Sequence, residues 1–210
     1  MKYDLFLLVL LLPLAGCSAE KKPSAAAWKV LPEAPQPSST LPAGTAPIDA
    51  IDPKLRAVQA RDALFQALSS RLMQVVQSEG PAAAIAVCQA EAPGLAHQIS
   101  QEHQVKIGRT SFKLRNPANQ PPDWAAPFLK DKPEKPLFLQ GPEGQTGAIL
   151  PIRLQQQCLM CHGQPDQIPP AVLTVLQSRY PHDQATGFAE DELRGWFWVE
   201  VPASTTSQEP

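Results

Sequence analysis

The chain has 210 residues, four cysteines and a formal net charge of −2. Because proteins bind nucleic acid mainly by neutralising its phosphates, this charge gives no electrostatic reason to expect nucleic acid as a partner. Once the two unusual termini are set aside, about 150 residues remain, which is enough for one domain with a hydrophobic core. The cysteines, at positions 17, 88, 158 and 161, carry most of the functional information.

The N-terminus has the pattern of a bacterial export signal. Lys2 precedes an apolar run from Leu5 to Leu12, and Leu14-Ala15-Gly16 precedes Cys17. The run is shorter than the ~20 residues that a membrane-spanning helix needs, and small residues before a cut are typical of secretory signals. Leu-Ala-Gly-Cys resembles the bacterial lipobox, which predicts a signal peptide over residues 1–16 and lipidation of Cys17. The alternative is an ordinary signal peptide that leaves Cys17 as a free thiol.

A lipidated Cys17 would place the protein on the periplasmic side of a bacterial membrane, with the lipid as its membrane anchor. Ser18 after the lipidated cysteine favours sorting to the outer rather than the inner membrane. Residues 17–52 contain six prolines and no hydrophobic period, so we predict a Pro/Ala-rich linker with an upper reach on the order of 100 Å. Residues 202–210 are polar and predicted to be a disordered tail, which leaves 53–201 as the folded domain.

The first half of the domain is predicted to be helical. Asp52 and Pro53 are suitable first residues for a helix that continues to about residue 79, with apolar residues spaced by three, four and seven. Gly80 and Pro81 end it. A second apolar stripe then continues to about residue 99, and Pro93 is expected to kink or interrupt that helix.

The second half is predicted to contain strands. Loose alternation of apolar and polar residues predicts strands over 105–114, 137–140 and 147–154, and RGWFWVEV predicts a strong strand over 194–201. A short helix is predicted over 169–178. Helices followed by antiparallel-looking strands indicate an α+β fold.

The sequence Cys158-Leu159-Met160-Cys161-His162 matches the attachment motif of a c-type haem. In this motif the two thiols form thioethers with the haem vinyl groups, and the histidine becomes the proximal iron ligand. Export is consistent with this assignment, because bacteria attach c-type haem outside the cytoplasm. We therefore expect one covalently attached haem c at Cys158, Cys161 and His162.

Two other uses of the CxxC pair stay open. The pair could form a redox disulfide, although no βαβ pattern typical of thioredoxin-like proteins surrounds it. It could also contribute half of a zinc site, but a tetrahedral site needs further nitrogen or sulfur ligands, and the sequence has no second CxxC or HxxxH pair.

The sixth iron ligand is open on sequence grounds. His/Met ligation is common in cytochromes c, and Met73 is the remaining candidate methionine because Met1 leaves with the signal and Met160 lies inside the attachment loop. Cys88 shares an apolar helix stripe, where it could equally be a small buried hydrophobe. Three histidines complete the candidates, and their surroundings predict exposed positions: His97, His103 and His182.

Basic and aromatic residues on the predicted strands suggest further contacts. Arg109, Lys113 and Arg115 alternate and could pair with haem propionates, whereas a solvated strand face is the alternative. Trp196 and Trp198 share one strand face, where packing in the core or around the haem is expected.

Several segments, taken in order, resemble the PAS-like monohaem cytochromes c, a former domain-of-unknown-function family first described structurally in a cyanobacterium. The resemblance covers roughly residues 55–201. It implies a PAS-like antiparallel sheet with long N-terminal helices and an unusual His/Cys axial pair, with His162 proximal and Cys88 distal. The segments that carry it are AVCQAEAP (86–93), GRTSFKLRNPAN (108–119) with Trp124, PIRL (151–154), CLMCHG (158–163) and YPHDQATGF (180–188) with Arg194-Gly195.

A haem with two protein ligands has no open position, so we do not expect an enzyme. The expected function is low-potential electron transfer by an exported lipoprotein, with a periplasmic redox partner protein. The alternative is a haem-based redox or diatomic-gas sensor module, in which the Cys88–iron bond breaks. A second alternative is a thiol-redox lipoprotein without haem. The sequence leaves the oligomeric state open.

Overall fold

The computed structural model describes residues 27–32 and 48–203. The predicted signal peptide (1–16), the lipidation site Cys17 and most of the predicted linker and tail lie outside the described residues, so export, lipidation and disorder stay predictions. Among the described residues, no helix combines the length and the apolar character that crossing a membrane requires.

The described residues form an antiparallel sheet packed with helices, which confirms the predicted α+β class. The helices are α1 (Pro53–Glu79), α2 (Pro81–Ala90), α3 (Ala92–His103), α4 (Leu159–His162) and α5 (Pro170–Arg179). The strands are β1 (Lys29–Val30), β2 (Lys106–Thr110), β3 (Leu137–Gln140), β4 (Thr146–Arg153) and β5 (Leu193–Val201).

The long helix α1 begins and ends close to where the sequence predicts. The Asp52 side chain accepts a hydrogen bond from the backbone N–H of Leu55 at 3.0 Å, and Pro53 occupies the first turn, where no N–H partner is needed. Gly80 follows the helix with a φ of 87°, a conformation that suits glycine. The helix packs on the sheet through Ala57, Ala60 and Leu64, whereas Phe65 of the predicted apolar stripe is 39% exposed, so the stripe only partly coincides with the packed face.

The second predicted helix is divided into α2 and α3. The break lies at Glu91, and Pro93 explains it, because proline has no N–H to donate to the carbonyl of Gln89 four residues earlier. The Glu91 carboxylate accepts two hydrogen bonds from Arg71 of α1, at 2.7 and 3.0 Å. The division leaves Cys88 near the C-terminal end of α2.

The sheet has the strand order β1-β3-β4-β5-β2, with every neighbouring pair antiparallel. Successive side chains of β5 point to opposite faces. Phe197 and Val199 pack with α1 on one face, whereas Trp196 packs in a second core on the other face and donates its indole N–H to the carbonyl of Pro133 at 2.8 Å. Trp198 packs against that second core, so both tryptophans have the predicted packing role.

Residues 28–31, which the sequence analysis placed in the linker, pack on the sheet and are here called the N-terminal strap. Lys29 and Val30 form the edge strand β1 beside β3, and the Leu31 N–H donates to the carbonyl of Phe138 at 2.8 Å. Trp28 is only 5% exposed, and its ring stacks on that of Trp124 with centroids 4.6 Å apart. The predicted linker over 17–52 is therefore interrupted at the strap, which is held by the buried Trp28 ring and by the pairing of β1 with β3.

A register shift between β4 and β5 changes which residues face the helices. Ile152 pairs with Gly195 but Arg153 pairs with Leu193, so β5 has one extra residue, Arg194. A Cβ atom at Gly195 would collide with the carbonyl oxygen of Thr110. Glycine at this position is thus required by the close approach of β2, which ends at residue 110 rather than near the predicted residue 114.

We expect Trp28→Ala to lower the free energy of unfolding by about 3 kcal/mol, because it removes a buried ring and leaves space beside Trp124. The matched control is Val30→Ala in the same strap. Val30 is 57% exposed, so its truncation should change stability by no more than about 0.5 kcal/mol. Urea unfolding followed by circular dichroism measures both, and equal stability of the two variants would contradict docking of the strap.

We expect Gly195→Ala to destabilise the fold by about 1–3 kcal/mol, because its methyl group would push β5 away from the end of β2. The control is Gly94→Ala in α3, where an added Cβ meets open space and alanine favours the helix. Thermal unfolding of the two variants should give shifts of opposite sign. A Gly195→Ala protein as stable as the wild type would mean that the strands separate at little cost.

Candidate functional site

A cavity of about 240 Å³ lies where α1 and α2 meet the end of the sheet and the segment that contains the CxxCH motif. Cys88, Cys158, Cys161 and His162 all line it, so the predicted site residues come together from α2 and from the motif. Most of the remaining wall is apolar, including Leu68, Leu72, Val76, Ile85, Leu114, Ile152, Leu154 and Phe197. This combination of apolar walls with a few converging polar groups is typical of a cofactor site.

The CxxCH motif forms a continuous tight turn. A 3-10 turn, Gln156–Cys158, leads directly into α4. Residues four apart on such a turn lie on the same side, which brings the side chains of Cys158 and His162 towards the same space. A Cβ on Gly163 would lie 2.6 Å from the carbonyl oxygen of Leu159, so the residue after the motif must be small for the turn to close.

The His162 ring is held by one hydrogen bond. Its Nδ1 lies 2.7 Å from the carbonyl oxygen of Ala185, which fixes the proton on Nδ1 and leaves Nε2 free to act as a ligand. Burial, followed by the nearby positive charges of Arg115 and Arg194, lowers the pKa of His162 well below its ordinary value. The imidazole is therefore neutral at pH 7, which is the form that binds iron.

A buried ion pair positions the loop that orients His162. Arg115 Nε donates to Asp183 Oδ2 at 3.0 Å, and Asp183 Oδ1 accepts the N–H of Ala185 at 2.7 Å. Arg115 also donates to the carbonyl oxygens of Cys161 and Ala185. Sequence analysis missed Asp183, although it lies inside one of the segments that carry the family resemblance.

The two motif thiols are partly buried and are not joined in a disulfide. Burial raises the pKa of Cys158, and it raises the pKa of Cys161 to about 11. A redox-active CxxC pair is typically characterised by a lowered pKa, so the chain itself does not activate these thiols as thiolates.

Among the described residues, no group of three or more His, Cys, Asp and Glu side chains is arranged to hold a metal ion.

Two of the candidate sixth ligands line the cavity, namely Cys88 and Met73. His97 and His182 are exposed, and His103 is half-buried outside the cavity lining. The structure thus places both sulfur candidates at the cavity and the three histidines away from its lining. Residue spacing in the sequence could predict this only in part.

The structure divides the predicted basic group. Arg109 and Arg115 line the cavity, whereas the Lys113 ammonium lies 4.6 Å from the ring centroid of Phe188 and donates to the carbonyl of Thr186 at 3.4 Å. Arg194 also lines the cavity and was missed as a site residue. Strict alternation along β5 would place it on the tryptophan face, and only the register shift turns it to the helix face.

Comparisons with known proteins give a consistent result. The sequence model of the Tll0287-like family matches residues 42–202. No curated protein matches the chain. The crystal structure of the cyanobacterial heme-protein Tll0287 is 23% identical, covers 72% of this chain and 97% of its own, and has a TM-score of 0.51, which shows a shared fold. The resemblance noted in the sequence is thereby confirmed, and the chain belongs to the Tll0287-like family.

Proposed function

We propose that the chain binds one c-type haem covalently through Cys158 and Cys161, with His162 and Cys88 as axial ligands. The observation that carries the proposal is that one largely apolar cavity is lined by both motif thiols, a neutral imidazole and the thiol of α2. The donor set suits iron, because thioethers, an imidazole nitrogen and a sulfur ligand are all established haem partners. The name of the related heme-protein Tll0287 also supports haem binding.

The bound haem would supply a one-electron couple, and the chain would set its potential. The Ala185 carbonyl accepts the His162 Nδ1 proton, which increases the electron donation of the ring to iron. A Cys88 thiolate would add further electron density and stabilise the ferric state. Because His162 and Cys88 would both hold the iron, we propose low-potential electron transfer rather than enzyme catalysis.

We propose that this haem domain is exported and anchored through a lipid on Cys17, on the periplasmic side and preferably in the outer membrane. The sequence of the first 18 residues supports this location. A periplasmic redox protein would then be the partner. We also propose that the antiparallel sheet is PAS-like.

Two alternative functions can be distinguished from electron transfer by experiment. A haem-based sensor would lose Cys88 from iron on reduction and then bind CO or NO, whereas an electron carrier would keep its ligands through a reversible titration. A thiol-redox lipoprotein without haem would show no Soret band after expression with haem-maturation proteins. The raised pKa of the Cys158 and Cys161 thiols counts against thiol exchange, because exchange requires the thiolate.

We expect Cys88→Ala to abolish the low-spin ferric signal with thiolate character in optical and electron paramagnetic resonance spectra, while the haem stays covalently attached. The matched control is Met73→Leu, since Met73 is the other sulfur ligand candidate in the cavity. An unchanged spectrum in Cys88→Ala would remove Cys88 from iron, and a changed spectrum in Met73→Leu would point to the methionine instead.

We expect Asp183→Asn to raise the reduction potential, because it removes a negative charge and loosens the Ala185 carbonyl that accepts the His162 proton. A shift equivalent to about tenfold in the oxidised-to-reduced ratio corresponds to about 59 mV for one electron. Spectroelectrochemical titration measures it, with the exposed Asp166→Asn as the matched control. Equal potentials in the two variants would rule out a role for the ion pair in tuning His162.

A further inference from the structure

Three arginines line the cavity, and within the described part of the chain only one of them is paired with a carboxylate. Arg115 is paired with Asp183, and the side chains of both are only 10% exposed. The Arg109 side chain forms no hydrogen bond or ion pair with any residue that the structure describes. Arg194 bonds to uncharged partners, donating to Ser111 Oγ at 2.6 Å and to the Lys113 carbonyl at 3.0 Å. The residues that the structure describes thus give no carboxylate partner to two of the three guanidinium groups.

Both arginines are half-buried. Burial lowers the pKa of Arg109, while its neighbours Cys88 and Tyr180 act in the opposite direction, and burial together with the charge of Arg115 lowers the pKa of Arg194 to about 10. Buried charges without a counter-charge are costly, and proteins keep them where a ligand supplies the opposite charge. Among the described residues that line the cavity there is no carboxylate, so an occupant of the cavity is the natural source of such an anion.

The two guanidinium groups share one wall. Arg109 is the fourth residue of β2, and Ser111 follows that strand directly, two residues further on the same side. The Arg194 guanidinium donates a hydrogen bond to Ser111 Oγ, so it lies at the same wall of the cavity as Arg109. The charges of both arginines also lower the pKa of His162, which places them near the proposed proximal ligand.

We infer that Arg109 and Arg194 bind the two propionate carboxylates of the haem. The inference rests on the proposed haem site, and it replaces the predicted set of Arg109, Lys113 and Arg115. Lys113 lies outside the cavity lining and Arg115 already has a carboxylate, so neither is available. Two propionates and two unpaired guanidinium groups give an equal count of opposite charges. Arginine suits this role because its planar fork bonds a carboxylate through two parallel hydrogen bonds.

The test compares Arg109→Gln and Arg194→Gln in the matured full-length protein, with Arg153→Gln as the control. Arg153 is an exposed arginine of β4 that pairs with Glu134 and does not line the cavity. The readouts are covalent haem content, the propionate bending band in resonance Raman spectra, and the reduction potential. Covalent attachment uses the vinyl groups, so it reports on the haem site separately from the propionates.

We expect both glutamine variants to keep covalent haem, to shift the propionate band and to lower the reduction potential, because a positive charge that favours the reduced state is lost. The expected change in the oxidised-to-reduced ratio is on the order of tenfold, or about 59 mV. The lysine variants Arg109→Lys and Arg194→Lys keep the charge, so they should restore most of the potential but not the band position. They also serve if a glutamine variant does not fold.

A wild-type propionate band and potential in both glutamine variants, with haem attached, would overturn the propionate assignment while leaving the haem proposal intact. If the glutamine variants do not fold, a wild-type band in the lysine variants would overturn it equally. A wild-type protein without covalent haem would instead refute the proposed function itself.

Discussion

The ion pair between Arg115 and Asp183 is the contact around which the site is organised. It joins the segment after β2, the CxxCH turn and the loop after α5, because Arg115 also reaches the Cys161 carbonyl and Asp183 fixes Ala185. Buried ion pairs are weak evidence for stability, since desolvation offsets much of their attraction. Here the pair has a positioning role: Asp183 holds the N–H of Ala185, and the Ala185 carbonyl contacts both Arg115 and the His162 ring.

The local elements were predictable because their causes are local. The three- and four-residue spacing of apolar side chains specifies α1, the missing N–H of Pro93 separates α2 from α3, and the CxxCH motif contains both thiols and the histidine within one turn. Each of these signals depends on residues a few positions apart. The family resemblance then added Cys88, which spacing alone could not distinguish from a small core residue.

The features that were missed depend on contacts between distant parts of the chain. Asp183 gains its role only when the loop after α5 meets Arg115, and Arg194 reaches the cavity only because the register between β4 and β5 shifts by one residue. Trp28 is a lone aromatic in a Pro/Ala-rich stretch, and its importance appears only in the fold, where its ring stacks on that of Trp124. No periodicity marks any of these positions.

The docked strap changes how far the protein could travel from a lipid at Cys17. Because Trp28 is packed on the sheet, only residues 18–27 would remain as a tether between the acyl chains and the folded domain. The reach of this tether is about 30 Å instead of about 100 Å. With the proposed anchor, the domain would be confined to a thin layer above the bilayer. Its electron exchange would then be restricted to partners that enter this layer, and encounter would become nearly two-dimensional.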